Sequence, residues 1–368
     1  MRLVYDFQVF SMQRFGGVSR YFTELISGIR DWHPDVDVEL VGRWADNTSL
    51  GRLGVPYTRL FHLYGGRGRG RLITIADYLN WKMVRRRTAA GDMCVYHPTY
   101  YQMHQPTGGG GCPVVLTVHD MIHELFELPD REKTMESKRR AVEAADHIIT
   151  GSEHTKRDVQ ELLGVDGANI TVIPHGRTFR GDEPGNRQLA LPERFILYVG
   201  ARAGYKNFSG FFDAIAEILR GDPSLHLVCA GGCDFTASER ASFERAALSA
   251  RILHTPADDA SLATQYRRAL LLAFPSKYEG FGLPVLEAMS FGCPVVCSDA
   301  SSVPEVGGDA VRYFDPDSVT DMVQGVNAVL SDDVYRSALQ TAGRQRANQF
   351  SWRASVEAHL EVYRSVLL

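Results

Sequence analysis

The stretch Glu279-Gly-Phe-Gly-Leu-Pro-Val-Leu-Glu287, with the run that precedes it, constrains this chain more than any other feature. Leu270-Leu-Leu-Ala-Phe274 is unbroken and apolar, short enough for a strand buried in a parallel sheet. Pro284 suits a first helical turn, and Leu286, Met289 and Ser290 follow at helical spacing. Between strand and helix, Gly280 and Gly282 permit a tight turn and leave its amides uncovered, with Phe281 and Leu283 completing the loop. Free amides and the helix dipole both face such a loop, which makes it an anion site. Glu279 enters from the loop. Glu287 lies about one turn inside the helix, where a carboxylate can accept two hydrogen bonds from a vicinal diol such as a ribose. Two carboxylates beside a phosphate cradle suit a sugar nucleotide better than a bare phosphate. The competing interpretation is a plain strand-to-helix turn in which Glu287 complements the helix dipole.

The form EGFGLPVLEAMSFGCPVV, with its Glu-x7-Glu spacing, resembles the signature of retaining family 4 glycosyltransferases of the GT-B fold. The resemblance continues through Ser298-Asp-Ala-Ser-Ser-Val-Pro-Glu-Val-Gly-Gly308 and covers essentially the whole chain, most strongly from Phe195 to Phe314. FGGVSRYF and YVGARAGYKN further resemble a bacterial, mannosyltransferase-like subgroup that builds surface polysaccharide.

Two more glycine turns follow apolar runs. After Leu3-Val4-Tyr5, Gly16-Gly17 opens a helix carrying Tyr21, Leu25, Ile26 and Ile29 on one face. A Gly-Gly pair is by itself a turn; the resemblance implies that Gly16 and Gly17 lie beneath the donor diphosphate. After Phe195-Ile-Leu-Tyr-Val199, the loop Gly200 to Asn207 carries Arg202 and Lys206, cations that would neutralise a diphosphate and stabilise it as it departs. The family places an Arg and a Lys in this loop, but at another spacing. In the first half, Val114-Val-Leu-Thr-Val118 ends in His119-Asp120, at the carboxyl end of a strand where open α/β sheets bind ligands. The resemblance assigns His119 to the active site, as hydrogen-bond partner of the donor sugar.

Strands and helices alternate throughout, so the expected fold is α/β, two Rossmann-like doubly wound parallel-sheet domains facing a cleft. Boundaries are expected at 1–176 for the acceptor-side domain and 177–192 for a polar linker. The nucleotide-sugar domain follows at 193–350, and the helix 351–368 returns to the first domain. The six cysteines stand singly or in apolar runs without clustered histidines, which favours free thiols over a metal site. A net charge of −4 excludes nothing but a generally basic nucleic-acid binder. The N-terminus lacks a signal-peptide pattern and no run reaches membrane-spanning length, so a cytoplasmic protein is expected. From Gly65 to Arg87, however, seven cations stand against Asp77 alone, interleaved with Trp81, Tyr78 and other apolar residues. Such a helix either rests on anionic lipid at the inner face of the cell membrane or packs its apolar side in the core.

The expected activity is transfer of a sugar, mannose from GDP-mannose first, to a hydroxyl of a glycan or lipid-linked acceptor. Retention and independence of metal are implied by the family, with no cofactor beyond the nucleotide-sugar co-substrate and a GDP-sugar favoured over a UDP-sugar. Glu279 is assigned the phosphate–sugar region of the donor and Glu287 the ribose. No Asp-x-Asp pair stands in a strand-end loop; Asp35-Val-Asp37 reads as surface. An epimerase of similar architecture and a non-catalytic sugar-nucleotide sensor are the alternatives.

Overall fold

The computed structural model describes residues 1–13, 16–42, 44–45, 47–54, 58–59, 69–89, 93–103, 111–202 and 204–368, with backbone alone at 44, 48–49, 58–59 and 69–76. Arg14, Phe15, Gly108 to Gly110 and residues 65–68 of the basic stretch lie outside the described residues. Two compact units result, one of Met1–Gly176 with Trp352–Leu368 and one of Arg177–Ser351.

The first unit places strands Asp37–Val41, Arg2–Asp6 and Cys94–His97 side by side, all parallel. Strands Val115–Val118, His147–Thr150 and Ile170–Val172 continue in the same sense, joined to the others by a parallel bridge between Tyr96 and Val114. Alternation along the first strand sets the two faces of this sheet. Leu3 and Tyr5 join a core with Phe22, Leu25, Ile26 and Ile29 of the helix Gly17–Trp32 and with Val356, Leu360 and Tyr363. Val4 faces the other way, onto Trp81 and Val84 of the helix Arg69–Thr88. Trp81 is therefore a core residue, edge-on to Phe7 at 5.3 Å, and not part of an outer lipid-facing surface. The outer face of that helix nevertheless keeps Tyr78, Leu79 and Met83 exposed among Lys82, Arg85 and Arg86.

The C-terminal helix Trp352–Ser365 is fastened to the first unit by a buried hydrogen-bond chain. His359 Nδ1 lies 2.6 Å from the Ser355 carbonyl, which can only accept, so Nδ1 carries the proton. Nε2 then accepts from the Tyr21 hydroxyl at 2.6 Å, and Tyr21 in turn accepts from Thr117 at 3.0 Å. Thr117 accepts from His97 Nε2 at 2.9 Å, and His97 Nδ1 accepts from Tyr363 at 2.7 Å. Tyr5 closes the chain, donating to Tyr363 at 3.0 Å. Where the chain leaves the first sheet, a Cβ on Gly176 would stand 2.2 Å from the Trp352 backbone nitrogen. Only glycine permits that approach.

The second unit is a six-stranded parallel sheet. Its order is Ile252–Thr255, Leu225–Ala230, Arg194–Val199, Leu271–Phe274, Val295–Ser298, Arg312–Phe314. In chain order that is 3-2-1-4-5-6, the doubly wound arrangement of dinucleotide-binding sheets. Phe195, Leu197 and Val199 pack under the helices Asp259–Arg268 and Leu283–Phe291, while Ile196 and Tyr198 pack under Phe208–Gly221 and Val319–Ser331. Residues 177–192 lie along this unit rather than apart from it. Phe179 is buried beside Phe291 with ring centres 5.2 Å apart.

One expectation about the cysteines is corrected: Cys94 and Cys112 are disulfide-bonded, with Cα atoms 5.1 Å apart. The bridge connects the first residue of the strand Cys94–His97 to a residue 18 positions further on, a proximity that sequence spacing does not disclose. Cys229, Cys293 and Cys297 are free and buried, and burial pushes the Cys293 thiol up to about 12.

Candidate active site

In the second unit the chain order reverses between Arg194–Val199 and Leu271–Phe274, which are hydrogen-bonded neighbours. Loops leaving the carboxyl ends of two such strands part in opposite directions and open a crevice. Lys206 arrives from the first loop on the short turn Gly204–Lys206, and Glu279 from the second. Their Nζ and Oε1 atoms are 2.6 Å apart, with the side chains 17% and 11% exposed. The two loops are also stitched by the Lys277 amide, which donates to the Tyr205 carbonyl at 2.7 Å. A third strand exit fixes Glu279. Its amide donates to Ser301 Oγ at 2.8 Å, and its carbonyl accepts from Ser302 Oγ at 2.8 Å.

The helix Leu283–Phe291 starts beside this pair. Gly282, its N-cap, has φ +107°, a conformation that L side chains rarely adopt, although a Cβ there would meet nothing closer than 4.0 Å. Pro284 sits in the first turn, and every residue from Val285 to Phe291 is buried. Being enclosed on all sides, the helix is held by the core and its N-terminal amides keep a fixed direction. Glu287 is buried one turn along and accepts from the Tyr266 hydroxyl at 2.9 Å. Tyr266, fully buried on the helix Asp259–Arg268, stacks on Phe291 at 5.7 Å. A carboxylate has room for about four hydrogen bonds, so Tyr266 orients Glu287 without exhausting its acceptor capacity. Gly280, Phe281, Gly282, Leu283 and Glu287 thus form one turn with Lys206 and Glu279 against it.

Arg202 leaves the same strand as Lys206 but turns toward the neighbouring strand exit. It pairs with Glu239 at 2.8 Å, and its side chain is 5% exposed.

The other expected residues belong to the first unit. His119 follows Val115–Val118, its amide donating to the Tyr101 hydroxyl at 3.3 Å. Its ring stands edge-on to Tyr21 at 5.2 Å and Phe22 at 5.8 Å, and its Nε2 is buried without a hydrogen-bond partner. Burial, opposed by Asp120 and aided by Lys138, lowers its pKa to about 4, so the ring is neutral at physiological pH. Beneath it, Lys138 is fully buried, donating to the Asp120 carbonyl at 2.9 Å and to Glu124 at 2.7 Å. Gly16 caps the helix Gly17–Trp32, where the Gln13 side chain accepts from the Ser19 amide at 3.3 Å.

Nothing local in the sequence marks Tyr266 and Glu239 as partners of Glu287 and Arg202. Ser301 and Ser302 stand within the stretch that carries the family resemblance, with no local sign of their bonds to Glu279. Among the described residues no three His, Cys, Asp or Glu side chains gather in a way that would hold a metal ion.

Two family models account for most of the chain: Glycosyltransferase Family 4 over residues 15–177 and Glycosyl transferases group 1 over 180–346. An O-antigen chain mannosyltransferase B of Escherichia coli is 30% identical over 294 residues, spanning 73% of this chain and 74% of the relative. The chain belongs to glycosyltransferase family 4. Among solved structures, a sucrose-phosphate synthase from Thermosynechococcus elongatus matches 100% of this chain and 99% of its own at TM-score 0.73 and 18% identity. HepE of Anabaena, solved with UDP and glucose, matches 99% and 100% at TM-score 0.71 and 16% identity. These likenesses establish the GT-B fold for this glycosyltransferase.

Proposed function

We propose that this glycosyltransferase moves a hexose, mannose from GDP-mannose first, onto a hydroxyl of a glycan or lipid-linked acceptor in surface polysaccharide synthesis. The configuration at the anomeric carbon is retained, and no metal takes part. The observation that carries the reading is the meeting of Lys206, Glu279 and the amides of the helix Leu283–Phe291 at the switch point of the second sheet. Glu287, buried and aimed by Tyr266, is the ribose acceptor of that arrangement. The E. coli relative supports mannose and a surface polysaccharide; the UDP and glucose bound by HepE favour another base and sugar, so both donors belong in the test.

In the reaction, the bond from the anomeric carbon to the leaving phosphate oxygen breaks as the acceptor oxygen bonds to the same face of the sugar. The acceptor proton passes to the departing phosphate. Negative charge gathers on the diphosphate, where Lys206 and the helix amides stabilise it more in the transition state than in the ground state. Glu279 orients the Lys206 ammonium toward that charge, and the neutral ring of His119 hydrogen-bonds the donor sugar. A panel of GDP-, UDP- and ADP-sugars, scored by thermal shift and by slow hydrolysis in EDTA, tests the reading. Mass action raises the melting point for each donor that binds. Stabilisation and turnover with GDP-mannose are expected. Release of UDP from a UDP-sugar without acceptor or water consumption would favour an epimerase, and binding without any turnover a sensor.

The outward face of the helix Arg69–Thr88 supports peripheral contact with an anionic membrane. Tyr78 is 66% exposed, with Leu79 and Met83 beside it and Lys82, Arg85 and Arg86 at the flanks. Each cation near an anionic surface contributes about 1 kcal/mol. No described helix is long and apolar enough to cross a membrane. Flotation should rise with the anionic lipid fraction of vesicles and fall with salt; equal recovery on neutral vesicles retires the membrane contact.

A further inference from the structure

Arg202 has an unusual set of partners for a cation in a donor loop. Nε donates to Glu239 Oε1 at 2.8 Å, one terminal nitrogen to the Gly231 carbonyl at 3.2 Å and the other to the Cys233 carbonyl at 2.5 Å. The guanidinium lies over the Phe235 ring at 4.7 Å and near Phe208 at 5.9 Å. Both carbonyls belong to the exit of the strand Leu225–Ala230, where Gly231 and Gly232 take positive φ of +76° and +69°. Glu239 is itself committed: its Oε2 accepts from the Thr236 amide at 2.6 Å, and its amide donates to Thr236 Oγ1 at 3.1 Å, capping the helix Ala237–Arg245. One planar guanidinium therefore ties together a loop, a strand exit and a helix N-terminus.

We infer that Arg202 is a positioning residue that fixes the Gly231–Phe235 strand exit, and that it does not contact the donor diphosphate. The inference rests on the reading above that a nucleotide sugar binds in the second unit. Two physical facts support it. To reach a diphosphate, Arg202 would have to strand Glu239, a carboxylate only 17% exposed, and give up two carbonyl acceptors. And its Nε and both terminal nitrogens already donate to protein acceptors, while the Phe235 ring covers a face of the guanidinium. The planar fork also explains why this place is held by Arg. A lysine ammonium lacks the geometry to serve one carboxylate and two divergent carbonyls while stacking on Phe235.

The test compares wild type, Arg202→Lys, Arg202→Ala and Glu239→Gln. Glu239 is a carboxylate that would repel a diphosphate and is held by Arg202 and Thr236, so its variant separates the positioning role from a phosphate contact by Arg202. Hydrogen–deuterium exchange of the ligand-free protein should show faster exchange at residues 231–239 in Arg202→Ala and in Glu239→Gln. Calorimetry should then show both variants weakening guanosine and uridine mono- and diphosphates by the same factor, about tenfold, because the lost order precedes any phosphate contact. Donor KM should rise with kcat held within about twofold, Arg202→Lys should fail to restore it, and the Arg202→Ala/Glu239→Gln double variant should be no worse than either alone. Diphosphates weakened about tenfold more than monophosphates by Arg202→Ala, or restored by Arg202→Lys, would overturn the inference. So would unchanged exchange at 231–239. A wild type that binds none of the four nucleotides refutes the donor reading instead, and the exchange data still decide the role of Arg202.

Discussion

Acidification should unfold the first unit selectively, and the size of the effect follows from its buried histidines. Burial is the leading cause that lowers His119 and His359 to about 4 and His175 to about 3, from 6.5 in the unfolded chain. His97 moves in the same direction, again through burial first. These folded-state values lie below the unfolded one. The stability they contribute is therefore complete above pH 6.5 and is lost as the pH falls toward the folded pKa values, because only the unfolded chain takes up the protons. At pH 5 each of the three loses roughly 2 kcal/mol relative to pH 8, or roughly 6 kcal/mol together, against a typical domain stability of about 5–15 kcal/mol. Asp6 acts in the opposite sense, since burial raises its pKa despite hydrogen bonds from Gln8, Thr99 and Tyr96. All four tryptophans, Trp32, Trp44, Trp81 and Trp352, belong to the first unit, so indole fluorescence reports on it alone. Urea titrations at pH 8 and pH 5 should show the fluorescence midpoint collapse at the lower pH. Far-UV circular dichroism should retain a second transition from the tryptophan-free unit. A fluorescence midpoint that is the same at both pH values would refute the argument that these rings are held neutral by burial.

Lys206→Ala should lower kcat more than it raises donor KM, because diphosphate charge grows as the glycosidic bond breaks; a change confined to KM, measured by initial rates, would mean uniform binding. Activity should survive EDTA, and loss of turnover that Mg²⁺ restores would contradict the metal-independent reading. Lys138→Met should destabilise the first unit by about 3–5 kcal/mol, since it strands Glu124 in the interior, and a tryptophan-detected melt checks this. Tyr266→Phe should weaken donor binding modestly by releasing Glu287, roughly 0.5–1.5 kcal/mol by titration calorimetry.

What could be read from the sequence was what neighbouring residues decide together. The apolar run at Leu271–Phe274, Gly282 at positive φ and Pro284 in the first turn of Leu283–Phe291 are local chemistry, and the turn was legible residue by residue. The partners were not legible, because the fold brings them from afar. Tyr266 meets Glu287 across two helices, and Glu239 meets Arg202 through the strand order. The Tyr5–Tyr363–His97–Thr117–Tyr21–His359 chain draws on four strands and helices and the C-terminal helix, each contributing one or two polar residues that look unremarkable in their own segment. Periodicity counts apolar positions, and here the fastening is polar. The basic helix shows the same limit: composition placed Trp81 and Tyr78 together, while helical phase sends Trp81 into the core and leaves Tyr78 outside.

Titration calorimetry with GDP-mannose in EDTA decides whether Glu287 holds the ribose of a nucleotide sugar at a site that needs no metal. Wild type should bind in EDTA. Glu287→Gln, which keeps an acceptor for Tyr266 but loses the charge that strengthens bonds to the diol, should bind more weakly by about 1–3 kcal/mol, roughly 5- to 150-fold. Equal affinities in the two proteins, or binding that returns only with Mg²⁺, would contradict that assignment.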